Sequence, residues 1–196
     1  MQHLTELLEK STATHSHLCP RKVLGVRIGL AGAAALGLEL PRPDKRLLVI
    51  LETDGCFADG VQTVTGCSIG HRTLRVEDYG KIAATFVDVK TGKSRRVAPR
   101  MDVRQRAYAY PPEENRHYFA QLRAYQIIPD DELFAYQEVQ LATPISHIVS
   151  RPGVRVNCEL CGEEIINQRA VERDRLTLCR ACAGAAYYQT ASELLL

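Results

Sequence analysis

The sequence predicts a core domain that combines helices and strands, followed by a small metal-binding module. The run Leu47–Leu51 is apolar, rich in strand formers and too short for a helix, which is typical of a buried strand. Residues 23–38 are apolar nearly all round, as in a buried helix. Near the C-terminus, two Cys-x-x-Cys pairs have the spacing of a four-cysteine zinc site. The 196 residues suit one medium domain of the α/β or α+β class plus a small appendage.

The charge of the chain is nearly balanced, at a formal net of +2, so no global field points to nucleic acid. Its distribution is uneven, because residues 90–106 are strongly basic whereas residues 113–138 are mainly acidic. This asymmetry predicts either a local surface that attracts anions or, more commonly, a solvated face.

The cellular compartment is predicted from the termini and the cysteines. The first ten residues carry acids and lack the apolar stretch of a secretory signal. The longest apolar tract, residues 28–38, is far shorter than the ~20 residues that span a bilayer. Seven cysteines without an export signal indicate thiols and metal ligands rather than disulfides. We expect a cytoplasmic protein with no membrane partner.

The N-terminal segment predicts a short amphipathic helix over residues 3–10, followed by His15, His17 and Cys19 at alternate positions. In an extended segment these three side chains share one side, where two imidazoles and a thiolate can bind a single zinc ion. Pro20 suits the first turn of the next helix, which would place Cys19 at a helix N-terminus that stabilises a thiolate. The alternative is an exposed loop whose histidines bind nothing.

The buried helix over residues 23–38 contains four glycines. Because glycine costs about 1 kcal/mol relative to alanine in a helix, these positions require close backbone packing. Residues 41–44 end the helix before the strand Leu47–Leu51. If the helix that starts near Cys19 packs beside the strand that ends near Cys56, two half-sites come together.

Residues 47–84 are the predicted functional centre. A turn at residues 53–55 precedes Cys56, a short helix follows over residues 58–64, and Cys67 lies just past its end. Both thiols therefore lie near the ends of elements, where reactive groups are commonly displayed. The alternative is a pair of buried, inert cysteines.

The second half of the core predicts an edge strand at residues 73–76 and a hairpin of residues 82–89 and 94–98. Pro111 opens a helix through Tyr125, and Pro129 opens another that contains packing residues near Phe134. Prolines at 144 and 152 mark a boundary near residue 150. The predicted domains are therefore residues 1–150 and 151–196.

The C-terminal module contains Cys158, Cys161, Cys179 and Cys182. Four thiolates leave a zinc ion no open position, so the predicted site is structural, and the metal would hold so small a module together. A strand at residues 176–178 and a helix over residues 180–192 would make it a treble-clef finger. Six arginines and six acids balance over residues 151–196, which disfavours DNA binding through phosphates. Docking or dimerisation, with Tyr187 and Tyr188 at the contact, is the preferred role.

Three ordered blocks in the first hundred residues carry a family resemblance. They are His15-x-His17-x-Cys19-Pro20, Glu52-x3-Cys56-x2-Asp59-Gly60-Val61-Gln62-x2-Thr65-Gly66-Cys67, and Asp78-Tyr79-Gly80-Lys81-x-Ala83. Together they resemble the FmdE family, which is named for its link to formylmethanofuran dehydrogenase. The resemblance implies an α+β core with a mixed sheet flanked by helices, thioredoxin-like in outline, and a metal-binding active site. It also implies an appended finger in some members and association with a larger oxidoreductase.

The core metal site is predicted to use His17, Cys19 and Cys56 as ligands of zinc or another divalent metal. His15 and Cys67 are the alternates. Three protein ligands leave one tetrahedral position open, which is the pattern of a catalytic site. Asp59 and Gln62 share the helix face of Cys56 and would act from behind the ligands or on a bound water.

Three functions follow from these observations. The first is an accessory protein of molybdenum- or tungsten-dependent one-carbon metabolism, expected as a homodimer; it is not the redox catalyst, because an iron–sulfur ligand run and a pterin-scale domain are missing. The second is a stand-alone metalloenzyme or thiol-redox protein that uses Cys56 with Cys19 or Cys67. The third and weakest is a nucleic-acid-binding regulator that uses the finger and residues 90–106.

Overall fold

The computed structural model describes residues 2–13, 17–110, 113–114, 116–149 and 152–189. The chain forms two units, residues 1–141 and residues 142–196. This division lies ahead of residue 150 because the short helix Ile145–Val149 belongs to the second unit. The domain assignment of residues 1–150 and 151–196 stays a prediction.

A five-stranded mixed sheet forms the centre of the first unit, in the order β2-β1-β3-β4-β5. Strands β1 and β2 are parallel and the other neighbours are antiparallel. The mixed sheet and its flanking helices confirm the predicted α+β class, and β1 has the predicted bounds. The strands are β1 (Leu47–Leu51), β2 (Leu74–Val76), β3 (Ala84–Asp88), β4 (Ser94–Pro99) and β5 (Phe134–Glu138).

The helices of the first unit form one hydrophobic core with the sheet. Helix α2 begins at Pro20, as predicted, and most of its side chains are buried. The helices are α1 (Gln2–Thr12), α2 (Pro20–Ala35), α3 (Cys56–Thr65), α4 (Val103–Arg106), α5 (His117–Ile127) and α6 (Asp130–Leu133), with a 3₁₀ turn at Ala107–Ala109 between α4 and α5.

Helices α2 and α3 touch through their backbones. A Cβ atom on Gly25 would lie 2.2 Å from the carbonyl oxygen of Phe57, and one on Gly60 would lie 2.6 Å from that of Lys22. No side chain fits at either position while the helices keep this separation. The predicted close packing of the helix glycines is therefore confirmed at Gly25, and Gly60 is its counterpart on α3.

The helix predicted to open at Pro129 is wrong beyond its first turn. Helix α6 ends at Leu133, and Phe134 begins strand β5, in which Tyr136 is paired with Val97 of β4. The acids of residues 130–132 favour a helix start only locally. Pairing with β4 satisfies backbone groups that would otherwise be left at the sheet edge, and the aromatic residues suit a strand.

The basic run of residues 90–106 contains arginines that pair with acids. Arg96 binds the Glu52 carboxylate through two hydrogen bonds of 2.5 and 2.7 Å. Arg95 pairs with Glu138 at 3.1 Å, and Arg106 pairs with Asp102 at 2.7 Å. This pairing supports the solvated-face interpretation over an anion-attracting surface.

The second unit contains two small hairpins and one helical turn. After α7 (Ile145–Val149), β6 (Arg155–Asn157) pairs with β7 (Glu164–Ile166), and β8 (Val171–Arg173) pairs with β9 (Leu176–Leu178). The helix predicted over residues 180–192 is wrong: the turn Ala181–Ala185 stops at Gly184, which has φ +92°. Residues 186–189 are not helical, and residues 190–196 lie outside the described residues.

Among the residues with described positions, no helix is both long and apolar enough to cross a membrane.

Candidate functional site

The four cysteines of the second unit converge on one point. The sulfur atoms of Cys158, Cys161, Cys179 and Cys182 all lie within 4.8 Å of one another. Backbone amides support two of them, because the Cys179 N–H donates to the Cys158 Sγ at 3.3 Å and the Cys182 N–H donates to the Cys179 Sγ at 3.4 Å. Gly162, with φ +79°, makes the tight turn that returns the chain after the first pair. The predicted four-cysteine metal group is present.

Electrostatics make this group a receptor for a cation. Hydrogen bonds from the backbone of Cys161 and Cys179 lower the pKa of Cys158 to about 6. The neighbouring Cys179 sulfur and burial raise the pKa of Cys182 to about 12, because adjacent thiolates repel each other. A divalent ion removes that repulsion, and four thiolates match the ligand preference of zinc.

The second candidate site lies where two helices begin. Cys19 is the N-cap residue of α2 and has an extended backbone, with φ −133° and ψ 160°. Cys56 is the first residue of α3 and follows Gly55, whose φ of 69° and ψ of −150° suit only glycine. The glycine contact between α2 and α3 holds these two helix starts together. The Cys19 thiol is a hydrogen-bond partner of Cys56.

The two thiols differ in exposure. Cys19 is 8% exposed, whereas Cys56 is only partly buried. Burial, followed by the hydrogen bond with Cys19, raises the pKa of Cys56, and the positive charge of Lys22 acts in the opposite direction. Asp59, in the first turn of α3, lies close enough for its charge to act on Cys56. The pair is therefore one accessible thiol backed by one buried thiol.

Two side chains that the sequence patterns did not single out adjoin this pair. Lys22 is fully buried in the first turn of α2, and its Nζ donates to the Ser11 carbonyl at 3.1 Å. The Tyr118 hydroxyl donates to the Leu18 carbonyl at 3.3 Å, and burial and the charges of Cys19 and Cys56 raise its pKa. No local signal marks either residue, because Lys22 lies within an apolar helix and Tyr118 comes from α5, distant in sequence.

The other predicted ligands of the core site are placed differently. His17 is exposed, and His15 lies outside the described residues. Over the residues that the structure describes, the sole convergence of three or more His, Cys, Asp or Glu ligand atoms is the four-cysteine group, so His17 does not join Cys19 and Cys56 there. The structure brings together two of the three preferred ligands.

Cys67 lies past the opposite end of α3 from Cys56. A helix of ten residues separates them, which corresponds to about 15 Å along the helix axis. Cys67 is fully buried, its thiol donates to the Leu47 carbonyl at 3.5 Å, and burial raises its pKa. Gln62 is exposed on α3. Cys67 is therefore placed apart from the thiol pair.

Glu52, at the start of the second resemblance block, contacts the third block. Its carbonyl oxygen accepts hydrogen bonds from the N–H groups of Tyr79 and Lys81, at 3.0 and 3.1 Å. Its carboxylate is held by Arg96. The block of residues 78–83 thus folds over the end of β1, beside the start of α3, and its role there is to order this edge of the sheet.

Three comparisons relate the chain to known proteins. The profile of a family described as "FmdE, Molybdenum formylmethanofuran dehydrogenase operon" matches residues 14–135. The "Probable S-adenosyl-L-methionine-binding protein" of Archaeoglobus fulgidus is 39% identical over 97 residues, which are 48% of this chain and 26% of that protein. The chain thus spans about a quarter of the length of that curated relative.

A solved structure is similar over nearly the whole chain. It is the crystal structure of a tungsten formylmethanofuran dehydrogenase FmdE-like protein from Syntrophus aciditrophicus, with a TM-score of 0.58. The match covers 95% of each chain at 22% sequence identity. It shows that the two proteins share a fold.

Proposed function

Because this chain belongs to the FmdE family, we propose that it is a zinc-binding accessory protein of a molybdenum- or tungsten-dependent formylmethanofuran dehydrogenase or a related one-carbon enzyme. The family description, which refers to a molybdenum formylmethanofuran dehydrogenase operon, supports the association. The chain is not the redox catalyst in this proposal, because it is too small to add a pterin-binding domain to its core and finger.

The finger has a structural role in this proposal. Its four thiolates fill the coordination sphere of zinc and leave no position for a substrate. The unit is small, and the buried side chains around Cys158 are few, so the metal supplies much of its folding free energy. The zinc-loaded finger would present the exposed Tyr187 and Tyr188 to a partner protein.

The core carries the functional metal in this proposal, with Cys19 and Cys56 as two ligands and His17 or His15 as the third. The observation that carries it is the direct contact of the two thiols at the starts of α2 and α3. A metal ion held by three protein ligands would supply Lewis acidity at its open position. Zinc is the proposed metal, since thiolate and imidazole ligands suit it.

The surrounding residues have separate roles. Asp59 lies beside Cys56 and is placed to accept a proton from a bound substrate or water. Gln62 is exposed further along α3, where it can contact only the outer part of a substrate. Tyr118 closes the side of the site with its hydroxyl anchored on the Leu18 carbonyl.

Metal analysis tests the core site. We expect about two zinc ions per wild-type chain reconstituted under reducing conditions, and about one in the Cys19→Ser/Cys56→Ser variant, because the finger retains its own ion. Cys67→Ser is the matched control and should keep about two, since Cys67 lies away from the pair. Equal zinc content in the wild type and the double variant would show that the core site does not exist.

Co-purification tests the accessory role. A tagged chain expressed in its native cells should recover a larger oxidoreductase, together with molybdenum or tungsten above the level of an untagged control. Recovery of the chain without either metal would contradict the association.

A stand-alone metalloenzyme that uses Cys56 is the second candidate. The observation that favours it is the partly exposed Cys56 beside Asp59 and Tyr118, which forms a site without any contribution from a partner. Turnover by the isolated, metal-loaded chain would favour this candidate, and dependence on a co-purified partner would favour the accessory role.

Assembly and location complete the proposal. We propose a homodimer, and light scattering at the native zinc content tests it against a monomer. We place the chain in the cytoplasm because its thiols require a reducing compartment. Nucleic-acid binding is disfavoured by the pairing of Arg95, Arg96 and Arg106 with acids.

A further inference from the structure

The contact between Cys19 and Cys56 has a chemical consequence beyond metal binding. Two thiols that hydrogen-bond to each other are close to the separation from which a disulfide forms. Neither belongs to the finger, and Cys67 lies at the other end of α3. The pair is therefore the place in the first unit where two-electron thiol chemistry can occur between neighbours.

The packing of α2 on α3 keeps the pair together. Gly25 and Gly60 leave no space between the two helix backbones, so the helix starts that carry the thiols stay close. Groups held in this way react with each other as if at very high concentration. Closure of a bond between them is then favoured over reaction of either thiol with a second external molecule.

The difference in exposure assigns the order of events. Cys56 is partly buried and is accessible to a small reagent, whereas Cys19 is 8% exposed. The accessible thiol meets an external disulfide first, and the buried thiol can then attack the sulfur of Cys56 from within the protein.

We propose that Cys19 and Cys56 form a reversible disulfide by exchange with low-molecular-weight disulfides. Cys56 attacks one sulfur of the external disulfide, a mixed disulfide forms, and the first external thiol leaves. Cys19 then attacks the Cys56 sulfur and the second external thiol leaves. The two protein thiols lose two electrons and two protons, the external disulfide gains both, and the reverse exchange restores the dithiol.

Oxidation and metal binding at the pair exclude each other. A thiolate is a metal ligand, and a disulfide sulfur carries no such charge. The oxidised pair would therefore release the core metal while the finger keeps its own. This second part of the inference rests on the proposed core metal site; disulfide formation itself does not.

Oxidised glutathione is the probe, applied to the full-length, zinc-loaded chain after removal of reductant. Tryptic peptides then identify the bond, because Cys19 lies in residues 11–21 whereas Cys56 and Cys67 share residues 47–72. We expect residues 11–21 linked to residues 47–72 in most chains, in the wild type and in Cys67→Ser. We expect a glutathione adduct on Cys56 to accumulate in Cys19→Ser, since the resolving thiol is missing.

Two results would overturn the disulfide. One is a bond between Cys56 and Cys67, which would appear within the single peptide 47–72. The other is equal accumulation of the Cys56 adduct in the wild type and in Cys19→Ser, which would show that Cys19 does not resolve it. Persistence of the link in Cys67→Ser is required, because it assigns the bond to Cys56.

Zinc measured in the same samples separates the two proposals. Loss of about one of two zinc ions on oxidation, and its recovery after reduction, supports mutual exclusion. Linked peptides with undiminished zinc overturn the exclusion. If the reduced wild type holds no more zinc than Cys19→Ser/Cys56→Ser, the proposed core metal site fails, and the peptide map still decides the disulfide.

Discussion

At the scale of single residues, the carboxylate of Asp88 joins the end of β3 to the segment before β1. Its side chain is 3% exposed and accepts hydrogen bonds from Arg46 Nε at 3.0 Å and Arg46 Nη2 at 2.9 Å. The Lys90 N–H also donates to it at 3.0 Å. The Arg46 guanidinium holds the pKa of this carboxyl well below its usual range. Asp88 is therefore ionised in the folded protein even in mild acid.

Asp88→Asn should lower the free energy of unfolding by about 1.5–3 kcal/mol at pH 7, because it removes charged hydrogen bonds to Arg46. A depressed folded-state pKa gives stability that is present above the unfolded pKa of about 3.9 and is lost as pH falls towards the folded value. The gap between wild type and variant should therefore shrink between pH 7 and pH 3. Urea unfolding at both pH values measures it.

The exposed Asp44 provides a matched control, since Asp44→Asn alters a carboxylate that pairs with Arg42 in solvent. Its effect should stay within about 1 kcal/mol at either pH. A difference for Asp88→Asn that is the same at pH 3 and pH 7 would mean that the Arg46 pairing does not act through ionisation.

At the scale of helices and strands, local patterns predicted most of the first unit. Strand β1, the hairpin of β3 and β4, and the start of α2 at Pro20 follow from short signals that neighbouring residues carry. Strand β5 does not, because its conformation depends on pairing with β4, which is distant in sequence. The finger helix failed for a different reason: Gly184 adopts a left-handed conformation and ends the turn.

The contact between α2 and α3 gives the prediction at this scale. Gly25→Ala should lower the free energy of unfolding by about 1–3 kcal/mol, because the new Cβ would lie 2.2 Å from the Phe57 carbonyl oxygen. The gain in helix propensity of about 1 kcal/mol acts in the opposite direction and does not compensate a backbone clash. Denaturant unfolding measures the stability, and glutathione-driven linkage of Cys19 to Cys56 measures the separation of the helix starts.

Gly29→Ala is the control on the same helix. There the nearest atom, Cβ of Val64, lies at 3.4 Å, so an added methyl group makes an ordinary contact. This variant should be as stable as the wild type or more so, with linkage unchanged. A Gly25→Ala variant that matches Gly29→Ala in both measurements would refute the backbone contact.

At the scale of the whole molecule, the two candidate sites were predictable to different degrees. The finger follows from spacing alone, since four cysteines in two pairs specify their own geometry. The core pair required two segments far apart in sequence to meet, and the glycine packing that joins them is visible only in the fold. Lys22 and Tyr118 were missed because burial and long-range contacts, rather than any local pattern, bring them to the pair.

Removal of a finger ligand tests the independence of the two units. Cys179→Ser should unfold residues 151–196 and leave the core folded, because metal binding contributes about 10 kcal/mol or more to folding of such a module. Limited trypsin digestion should cut rapidly at Arg169 and Arg173 while the core stays intact. Cys67→Ser is the control for loss of a thiol. Circular dichroism and digestion identical to wild type would contradict a structural metal.

The glycine contact also constrains how the sequence can diverge. Substitution at position 25 or 60 forces the two helices apart, and the thiols at their starts move with them. A lineage that keeps Cys19 and Cys56 for shared chemistry must therefore retain glycine at both positions. The four positions form a single inherited unit, and glycine there is a criterion for deciding which relatives preserve this site and which retain only the scaffold.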